Sequence, residues 1–173
     1  MSLMHSPWVN DCLNQVFYKD RKKKYILDLA CGKGRNSILS SKFNALVFAA
    51  DKNSKYLKSF SKKNIVKVVT DIEDLDNWTF ANNKFDVILV VNFLNRDIFA
   101  NILKTLKKNG HLIYETFALK NRLYGKPRNI NYLLKKQELL KLTKGLKLIS
   151  FEEIDVNNED RKYSKQRVFC KSV

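Results

Sequence analysis

The sequence predicts an α/β fold, in which a mostly parallel β-sheet carries helices on both faces. Five short apolar runs alternate with helical segments, and each strand-plus-helix unit spans roughly 20 to 30 residues, as in right-handed βαβ crossovers. The chain of 173 residues, 45% of them hydrophobic, fits one domain and is long enough to bury a sizeable core.

The five predicted strands are residues 25–30, 45–50, 65–70, 85–91 and 111–117. Their near-continuous apolar character is typical of strands that are covered on both faces. Helical spacing of apolar residues predicts helices over 35–41, 54–62 and 96–108, the last ended by Asn109-Gly110. Another helix is predicted to begin at Ser6-Pro7, because proline is favoured in a first helical turn.

The C-terminal third departs from this alternation. A long loop over 118–131 contains Gly125 and Pro127, and a helix is predicted around 135–142. Residues 146–153 and 166–171 then predict a β-hairpin. At the other end, Met1-Ser2-Leu3 in front of a second methionine resembles a vector remnant, so we expect residues 1–3 to be foreign and 4–173 to be one domain.

Composition limits the classes of function. The chain has 33 basic and 17 acidic residues, a net charge of +16 that would attract nucleic acid. Because 26 of the basic residues are lysines scattered along the chain, we interpret the charge mainly as background, with nucleic acid as the alternative partner. The longest apolar run has six residues, which predicts no membrane span and a cytoplasmic location. Three widely spaced cysteines predict free thiols and no metal site.

The segment after the first predicted strand has the composition of a ligand-binding turn. It reads Asp28-Leu29-Ala30-Cys31-Gly32-Lys33-Gly34-Arg35-Asn36. Glycines at 32 and 34 let the backbone turn tightly and approach a ligand, and the next helix offers unpaired N–H groups. Because open parallel sheets bind ligands at the carboxyl ends of their strands, this turn is the first candidate site.

Carboxylates also follow the second and third predicted strands. Asp51 comes twenty-three residues after Asp28, and Asp71 comes twenty residues after Asp51. A carboxylate at Asp51 could accept both hydroxyls of a ribose, and Asp71 could accept an adenine amino group beside the backbone of Ile72. Three acids at three consecutive strand ends therefore predict a cofactor that carries a nucleoside.

Two common nucleotide motifs do not fit this segment. The dinucleotide fingerprint needs glycine where the sequence has Ala30 and Arg35, if Gly32 is its middle position. The phosphate loop of nucleotide hydrolases needs Gly-Lys followed by Ser or Thr after a longer glycine spacing, which Gly32-Lys33-Gly34 does not supply.

The segment from Asp28 to Asn36 resembles the first motif of class I S-adenosylmethionine-dependent methyltransferases, with Asp51, Asp71-Ile72 and the strand at 85–91 at the expected spacings. Its Ala-Cys-Gly-x-Gly-Arg-Asn form is similar to small bacterial enzymes of the tellurite-resistance type. The resemblance implies a single Rossmann-like methyltransferase domain whose seven-stranded sheet is parallel except for its last strand. It also implies S-adenosylmethionine as cofactor and S-adenosylhomocysteine as product.

The same resemblance implies the residues that hold the cofactor. Asp28 would orient the methionine part, Gly32 and Gly34 would make room for it, and Asp51 would hold the ribose. The full expected set is Asp28, Ala30, Gly32, Gly34, Asp51, Lys52, Asp71, Ile72 and Asn92.

Acceptor-side residues are expected after the fourth and fifth strands, where loops can cover the site. The candidates are Asn95, Arg96, Tyr114, Glu115 and Arg128. The two arginines favour an anionic acceptor. No catalytic base is identified, since neither His5 nor His111 has a partner visible in the sequence.

The leading hypothesis is methyl transfer to a small molecule, with anionic and chalcogen-containing molecules among the candidates. Val91-Asn92-Phe93-Leu94 lacks the Asn/Asp-Pro-Pro-aromatic signature of methyltransferases that act on the amino groups of bases and of glutamine. An RNA or protein methyltransferase is the first alternative, and a module that binds the cofactor without catalysis is the second. The sequence does not indicate the oligomeric state.

Overall fold

The computed structural model describes residues 5–173, so the expected vector remnant at 1–3 lies outside the described residues. The elements follow in the order α1 (Pro7–Lys19), β1 (Lys24–Leu29), α2 (Arg35–Ser40), β2 (Ala45–Asp51), α3 (Ser54–Lys58), β3 (Ile65–Val69), β4 (Phe85–Val91), α4 (Phe99–Thr105), β5 (Leu106–Phe117), α5 (Glu138–Leu142), β6 (Lys147–Asn157) and β7 (Lys162–Lys171). Two short 3₁₀ helices, Leu119–Leu123 and Ile130–Tyr132, occupy the predicted long loop.

The strands form one seven-stranded sheet in the order β3-β2-β1-β4-β5-β7-β6. Strands β1 to β5 pair in parallel, and β7 runs antiparallel to its neighbours β5 and β6. This arrangement confirms the expected Rossmann-like sheet with an antiparallel last strand. The chain proceeds outward from β1 to β3 and then returns to β4 beside β1, so the strand order reverses between β1 and β4, where such sheets bind ligands.

Two apolar layers cover the sheet, as the near-continuous apolar strands predict. On one face, α1, α2 and α3 contribute Leu13, Leu39 and Leu57 to a buried cluster. On the other face, α4 and α5 contribute Ile102 and Leu139 to a second cluster. Alternate residues of each strand point into opposite clusters, so Ile26 of β1 lies in the first cluster and the adjacent Leu27 in the second.

Two predicted helices are shorter than expected. The helix predicted over 96–108 covers only Phe99–Thr105, because Leu106 pairs with Phe85 and already belongs to β5. The helix predicted over 54–62 ends at Lys58, where the backbone N–H and the hydroxyl of Ser59 both bond to the carbonyl of Tyr56. The end of α4 depends on a long-range strand pair, whereas the end of α3 is closed by a local contact three residues back along the chain.

The terminal hairpin is longer than predicted, since β6 and β7 pair from Lys147↔Lys171 to Asn157↔Lys162.

The three cysteines are free and buried. None of the helices in the described part of the chain has the length and apolar character to cross a membrane. Within residues 5–173, no group of three or more His, Cys, Asp or Glu could hold a metal ion.

Candidate cofactor and acceptor site

A cleft of about 840 Å³ opens at the carboxyl ends of β1 and β4, beside the start of α2. Its volume lies in the range of clefts that hold small-molecule ligands. Four of the nine residues expected to hold the cofactor line it, namely Asp28, Ala30, Gly32 and Asn92. The other five do not line this cleft: Asp51 is the last residue of β2, and Gly34, Lys52, Asp71 and Ile72 lie in the segments that follow β1, β2 and β3.

The turn between β1 and α2 adopts a left-handed backbone at three alternate positions. The φ angles are 51° at Ala30, 57° at Gly32 and 73° at Gly34. Hydrogen bonds fix the turn to β2, since the N–H of Cys31 donates to the carbonyl of Ala50 at 3.0 Å and that of Gly32 to Asp51 Oδ2 at 2.7 Å. The glycine turn is therefore held in shape by its neighbouring strand.

The two glycines serve different physical needs. A Cβ at Gly34 would lie 2.4 Å from the ring of Phe60, so only glycine permits this close packing. A Cβ at Gly32 would meet nothing within 4 Å, although its positive φ still favours glycine. Gly34 is thus needed for packing, and Gly32 leaves the floor of the cleft open.

We expect Gly34→Ala to lower the free energy of unfolding by about 2 to 4 kcal/mol, because it adds backbone strain and a clash with the Phe60 ring. Urea unfolding monitored by circular dichroism measures the change. Gly145→Ala is the matched control, since Gly145 also has a positive φ, of 102°, but its Cβ would meet nothing within 4 Å. The control should cost only about 1 kcal/mol; an equal loss in both variants would contradict the packing argument.

Asp28 is a buried carboxyl at the inner wall of the cleft, with 1% of its surface exposed. The hydroxyl of Ser37 in α2 donates to Asp28 Oδ2 at 2.6 Å. Burial raises the pKa of Asp28 to about 7, and the Ser37 hydrogen bond and the Arg35 charge oppose this rise only in part. A cationic ligand in the cleft would favour the ionised form.

Asp51 stands at the end of β2 and accepts two backbone hydrogen bonds. Its Oδ2 accepts from Gly32, and its Oδ1 accepts from the N–H of Asn53 at 2.8 Å. Because a carboxylate has about four acceptor positions, both oxygens can accept further donors. Asp51 therefore fixes the glycine turn and still offers lone pairs at the cleft edge.

Asp71 and Ile72 follow β3. Asp71 is exposed and its carboxylate lies 3.6 Å from Lys52 Nζ, which also pairs with Glu73 at 2.9 Å. Ile72 is buried and belongs to the cluster on the α4 face of the sheet. The exposed carboxylate can accept a hydrogen bond from the edge of a planar ring. The aliphatic side chain beside it can pack against one face of the same ring.

Asn92 ends β4 in a left-handed conformation with φ of 60°, and its N–H donates to the carbonyl of Glu115 at 2.8 Å. Its exposed side chain lines the cleft. The side chain of Asn95 accepts from the N–H of Asp97 at 2.9 Å and donates to Glu73 Oε1 at 3.4 Å.

Arg96 is engaged with protein acceptors. Its Nε lies 2.7 Å from Glu138 Oε1, and its terminal nitrogens donate to Glu138 Oε2 and to the carbonyls of Asn131 and Leu133. The Arg96 guanidinium lowers the pKa of Glu138 and has its own pKa raised by this pairing. This cluster ties the segment after β4 to the segment before α5.

Tyr114 and Glu115 are adjacent in β5 but face opposite sides of the sheet. Tyr114 is fully buried, stacks on Phe99 at 5.1 Å between ring centroids and donates to the carbonyl of Phe93 at 3.0 Å. Burial raises the pKa of Tyr114 far above its usual range. Glu115, on the α1 side, accepts from Lys165 at 2.8 Å and lies 3.8 Å from Arg167.

Arg128 is exposed on the loop between the two 3₁₀ helices. It is the one expected acceptor-side residue for which the structure records no side-chain hydrogen bond or ion pair within residues 5–173. Its guanidinium is therefore available to a ligand, unlike that of Arg96.

Several residues of this region were not predicted from the sequence. Ser37 bonds to Asp28, Phe60 closes on Gly34, and Lys165 neutralises Glu115. The first lies nine residues from its partner and carries no motif signal. The last follows from the register of β5 with β7. Arg167 lies opposite Glu115, and Lys165 lies opposite Phe117 and therefore diagonal to Glu115.

One family model matches part of the chain. A family model described as a methyltransferase domain matches residues 26–110, from β1 through the start of β5. A search of curated proteins finds no match.

Solved structures share the fold. TehB from Haemophilus influenzae superposes with a TM-score of 0.74 and 19% identity over 94% of this chain, which spans 62% of the TehB chain. A methyltransferase from Mesorhizobium loti gives a TM-score of 0.73 and 16% identity, covering 95% of this chain and 96% of that one. A geranyl diphosphate methyltransferase, solved with GPP and sinefungin, superposes with a TM-score of 0.67 and 13% identity. The match covers 87% of this chain and 73% of that one.

Residues 26–110 therefore match a methyltransferase domain, and the described chain shares its fold with S-adenosylmethionine-dependent methyltransferases.

Proposed function

We propose that this protein is a class I S-adenosylmethionine-dependent methyltransferase and that it transfers the methyl group to a small anionic acceptor. The observation that carries the proposal is the charge around the cleft, where Lys33, Arg35 and Lys42 line the wall and the one lining carboxyl, Asp28, is buried. Clefts lined by one sign of charge raise the local concentration of ligands of the opposite sign. The resemblance of the segment from Ala30 to Asn36 to small bacterial enzymes of the tellurite-resistance type supports a chalcogen oxyanion as one member of this class.

In this proposal the cofactor lies across the ends of β1, β2 and β3. Asp28 faces the methionine part, and Ala30, Gly32 and Asn92 surround it. Asp51 accepts the ribose hydroxyls while it holds the glycine turn, and Lys52, Asp71 and Ile72 meet the adenine. Gly34 acts indirectly, because its packing on Phe60 sets the start of α2.

The bound cofactor supplies an electrophilic methyl group on a positively charged sulfur. The protein's task is then to align the acceptor with that methyl group, exclude water and receive a proton where the acceptor carries one. Asn95 and Arg128 are the acceptor-side residues of the proposal. We assign Arg96, Tyr114 and Glu115 to positioning, because Arg96 and Glu115 are held in ion pairs and the Tyr114 hydroxyl bonds to the carbonyl of Phe93.

Incubation with radiolabelled S-adenosylmethionine and two acceptor pools tests the proposal. The first pool contains selenite, tellurite, small thiols and small carboxylates, and the second contains total RNA. We expect label in small products and none in RNA. Label that enters only RNA and is released by ribonuclease would overturn the proposal in favour of the alternative suggested by the +16 charge.

Arg128→Gln should raise the KM for the acceptor found in this screen about tenfold or more, because a charge-assisted hydrogen bond is lost. The dissociation constant of S-adenosylhomocysteine, measured by calorimetry, should not change. Arg122→Gln is the matched control, an exposed arginine in the neighbouring 3₁₀ helix. An equal rise of KM in both variants would show that the effect comes from overall charge and not from Arg128.

A further inference from the structure

His5 is a half-buried residue that lines the cleft together with Asp28 and Asn92. It precedes α1, the helix that packs across the sheet face below the cleft. The sequence contains two histidines, and the other, His111, lies near the opposite end of β5, where burial lowers its pKa to about 4. His5 is therefore the imidazole available to a ligand in this cleft.

The backbone beside His5 is fixed at two points. The N–H of Ser6 donates to Asn36 Oδ1 at 3.3 Å, and the hydroxyl of Ser6 donates to Glu115 Oε2 at 3.4 Å. Asn36 belongs to the glycine turn and helix α2, whereas Glu115 lies in β5. Ser6 thus joins the start of α2 to the end of β5, the strand next to β4.

The helix that follows Ser6 is anchored as well. Pro7 begins α1, and Trp8, Val9 and Leu13 are buried against the sheet. The guanidinium of Arg167 lies 5.3 Å from the centroid of the Trp8 ring. Because Ser6 and helix α1 are held, the backbone that carries His5 is anchored beside the cleft.

The other titratable groups of the cleft are poorly suited to accept a proton from a ligand. Asp28 is 1% exposed and already accepts a hydrogen bond from Ser37, and burial holds the pKa of the Cys31 thiol far above its usual range. The remaining charged lining groups are the cations Lys33, Arg35 and Lys42. A neutral imidazole, by contrast, has one ring nitrogen with a free lone pair that can accept a proton.

We propose that His5 is the proton acceptor of the transfer reaction, an inference that rests on the proposed function. A lone pair of the acceptor atom forms the new bond to the methyl carbon, and the carbon–sulfur bond breaks with its electron pair passing to sulfur. Where the acceptor atom carries a proton, as a thiol does, that proton passes to the unprotonated imidazole nitrogen of His5 and then to water. Ser6 and Glu115 are positioning residues for this step.

Charged groups around His5 come from every neighbouring element. Asp28 faces the cleft from β1, Lys33 from the glycine turn, and Arg35 from α2, followed by Lys42. Glu115 of β5 lies behind Ser6 and is balanced by Lys165 and Arg167 of β7. The positive sulfur of bound S-adenosylmethionine should disfavour the protonated form of the His5 imidazole, because two positive charges repel each other.

Proton NMR of the imidazole Cε1–H resonances tests the inference without any acceptor. The spectrum of His111→Gln assigns His5, because the chain has two histidines. We expect the His5 resonance to move when S-adenosylmethionine is added. Its titration midpoint should lie about half a pH unit lower with S-adenosylmethionine than with S-adenosylhomocysteine, which lacks the positive charge. A His5 resonance that does not respond, or equal midpoints in the two complexes, would overturn the inference.

Kinetics with the acceptor from the screen give a second readout. His5→Gln should lower kcat about 100-fold and remove the acidic limb of the pH profile, with the KM for the acceptor and the cofactor affinity little changed. Ser6→Ala should lower kcat less and retain the acidic limb. His111→Gln is the control and should behave as the parent enzyme. An acidic limb that persists in His5→Gln would contradict the assignment of the base.

The two proposals fail in different ways. If label enters only RNA but the His5 resonance responds to cofactor charge, the proposed acceptor class is wrong and the placement of His5 stands. If a small acceptor is methylated while His5 gives no response, the function stands and the assignment of the base is wrong.

Discussion

Replacing Asp51 with alanine should weaken binding of S-adenosylhomocysteine at least about 100-fold. The variant loses the acceptors of two ribose hydroxyls, each worth about 1.5 kcal/mol or more when the acceptor is charged. It also frees the N–H groups of Gly32 and Asn53, so the glycine turn loses its fixed shape. Isothermal titration calorimetry of the purified protein measures the dissociation constant.

Two control variants separate these contributions. Asp51→Asn retains the size of the side chain and one acceptor oxygen, so it should bind with intermediate affinity. Asp74→Ala removes an exposed carboxylate from the loop after β3, away from the ends of β1 and β2, and should leave the affinity unchanged. Parent-like binding by Asp51→Ala would remove the basis for placing the ribose at β2.

Asp28→Asn should abolish much of the pH dependence of stability between pH 4 and 7. The pKa of Asp28 in the folded protein, about 7, lies above its ordinary value of 3.8. Its contribution to stability is therefore complete below pH 4, where the carboxyl is protonated in both states, and is lost as pH rises toward 7, because only the unfolded state ionises freely. A difference of this size corresponds to roughly 4 kcal/mol.

Urea unfolding at pH 5, 6, 7 and 8, without cofactor, measures this effect. The asparagine variant keeps an acceptor for the Ser37 hydroxyl, so its stability relative to the parent should rise with pH and level off above pH 7. Asp160→Asn, in the exposed turn between β6 and β7, should show no such trend. A constant difference between Asp28→Asn and the parent across this range would contradict the raised pKa.

The same substitution should also flatten the pH dependence of cofactor binding. In the parent protein, cofactor affinity should rise with pH, whereas stability falls. S-adenosylmethionine is cationic, so the parent protein should bind it more tightly as pH rises and Asp28 ionises. Asp28→Asn should bind at least about tenfold more weakly at pH 8 and show a flatter profile. Calorimetry at pH 6 and 8 compares the two proteins, and a parallel pH profile for both would argue against a role for Asp28.

Local patterns were sufficient for the parallel strands of the sheet and for the turn and carboxylates at their ends. The strand at 85–91 was predicted at its observed bounds because a run of buried apolar residues carries its own signal. The glycine turn and the acids after β1, β2 and β3 follow from their position at strand ends, and sequence order fixes that position. Each of these features is encoded by a few residues that are neighbours in the sequence.

Long-range contacts were not predictable in the same way. The end of α4 at Thr105 depends on the pairing of Leu106 with Phe85, twenty-one residues earlier. The engagement of Arg96 depends on Glu138, forty-two residues away. The sequence does not show which residue pairs with Leu106 or Arg96, because other residues of the same type also occur at long range along the chain.

By itself, the sequence determined the order of strands and helices, the turn that begins at Ala30 and the three carboxylates at consecutive strand ends. The tertiary structure decided which polar side chains remain available to a ligand: it engaged Arg96, buried Tyr114 and brought His5 to the cleft through α1 and Ser6. The physical reason is that periodicity and turn chemistry act over a few residues, whereas burial and pairing depend on elements that meet only after the chain has folded.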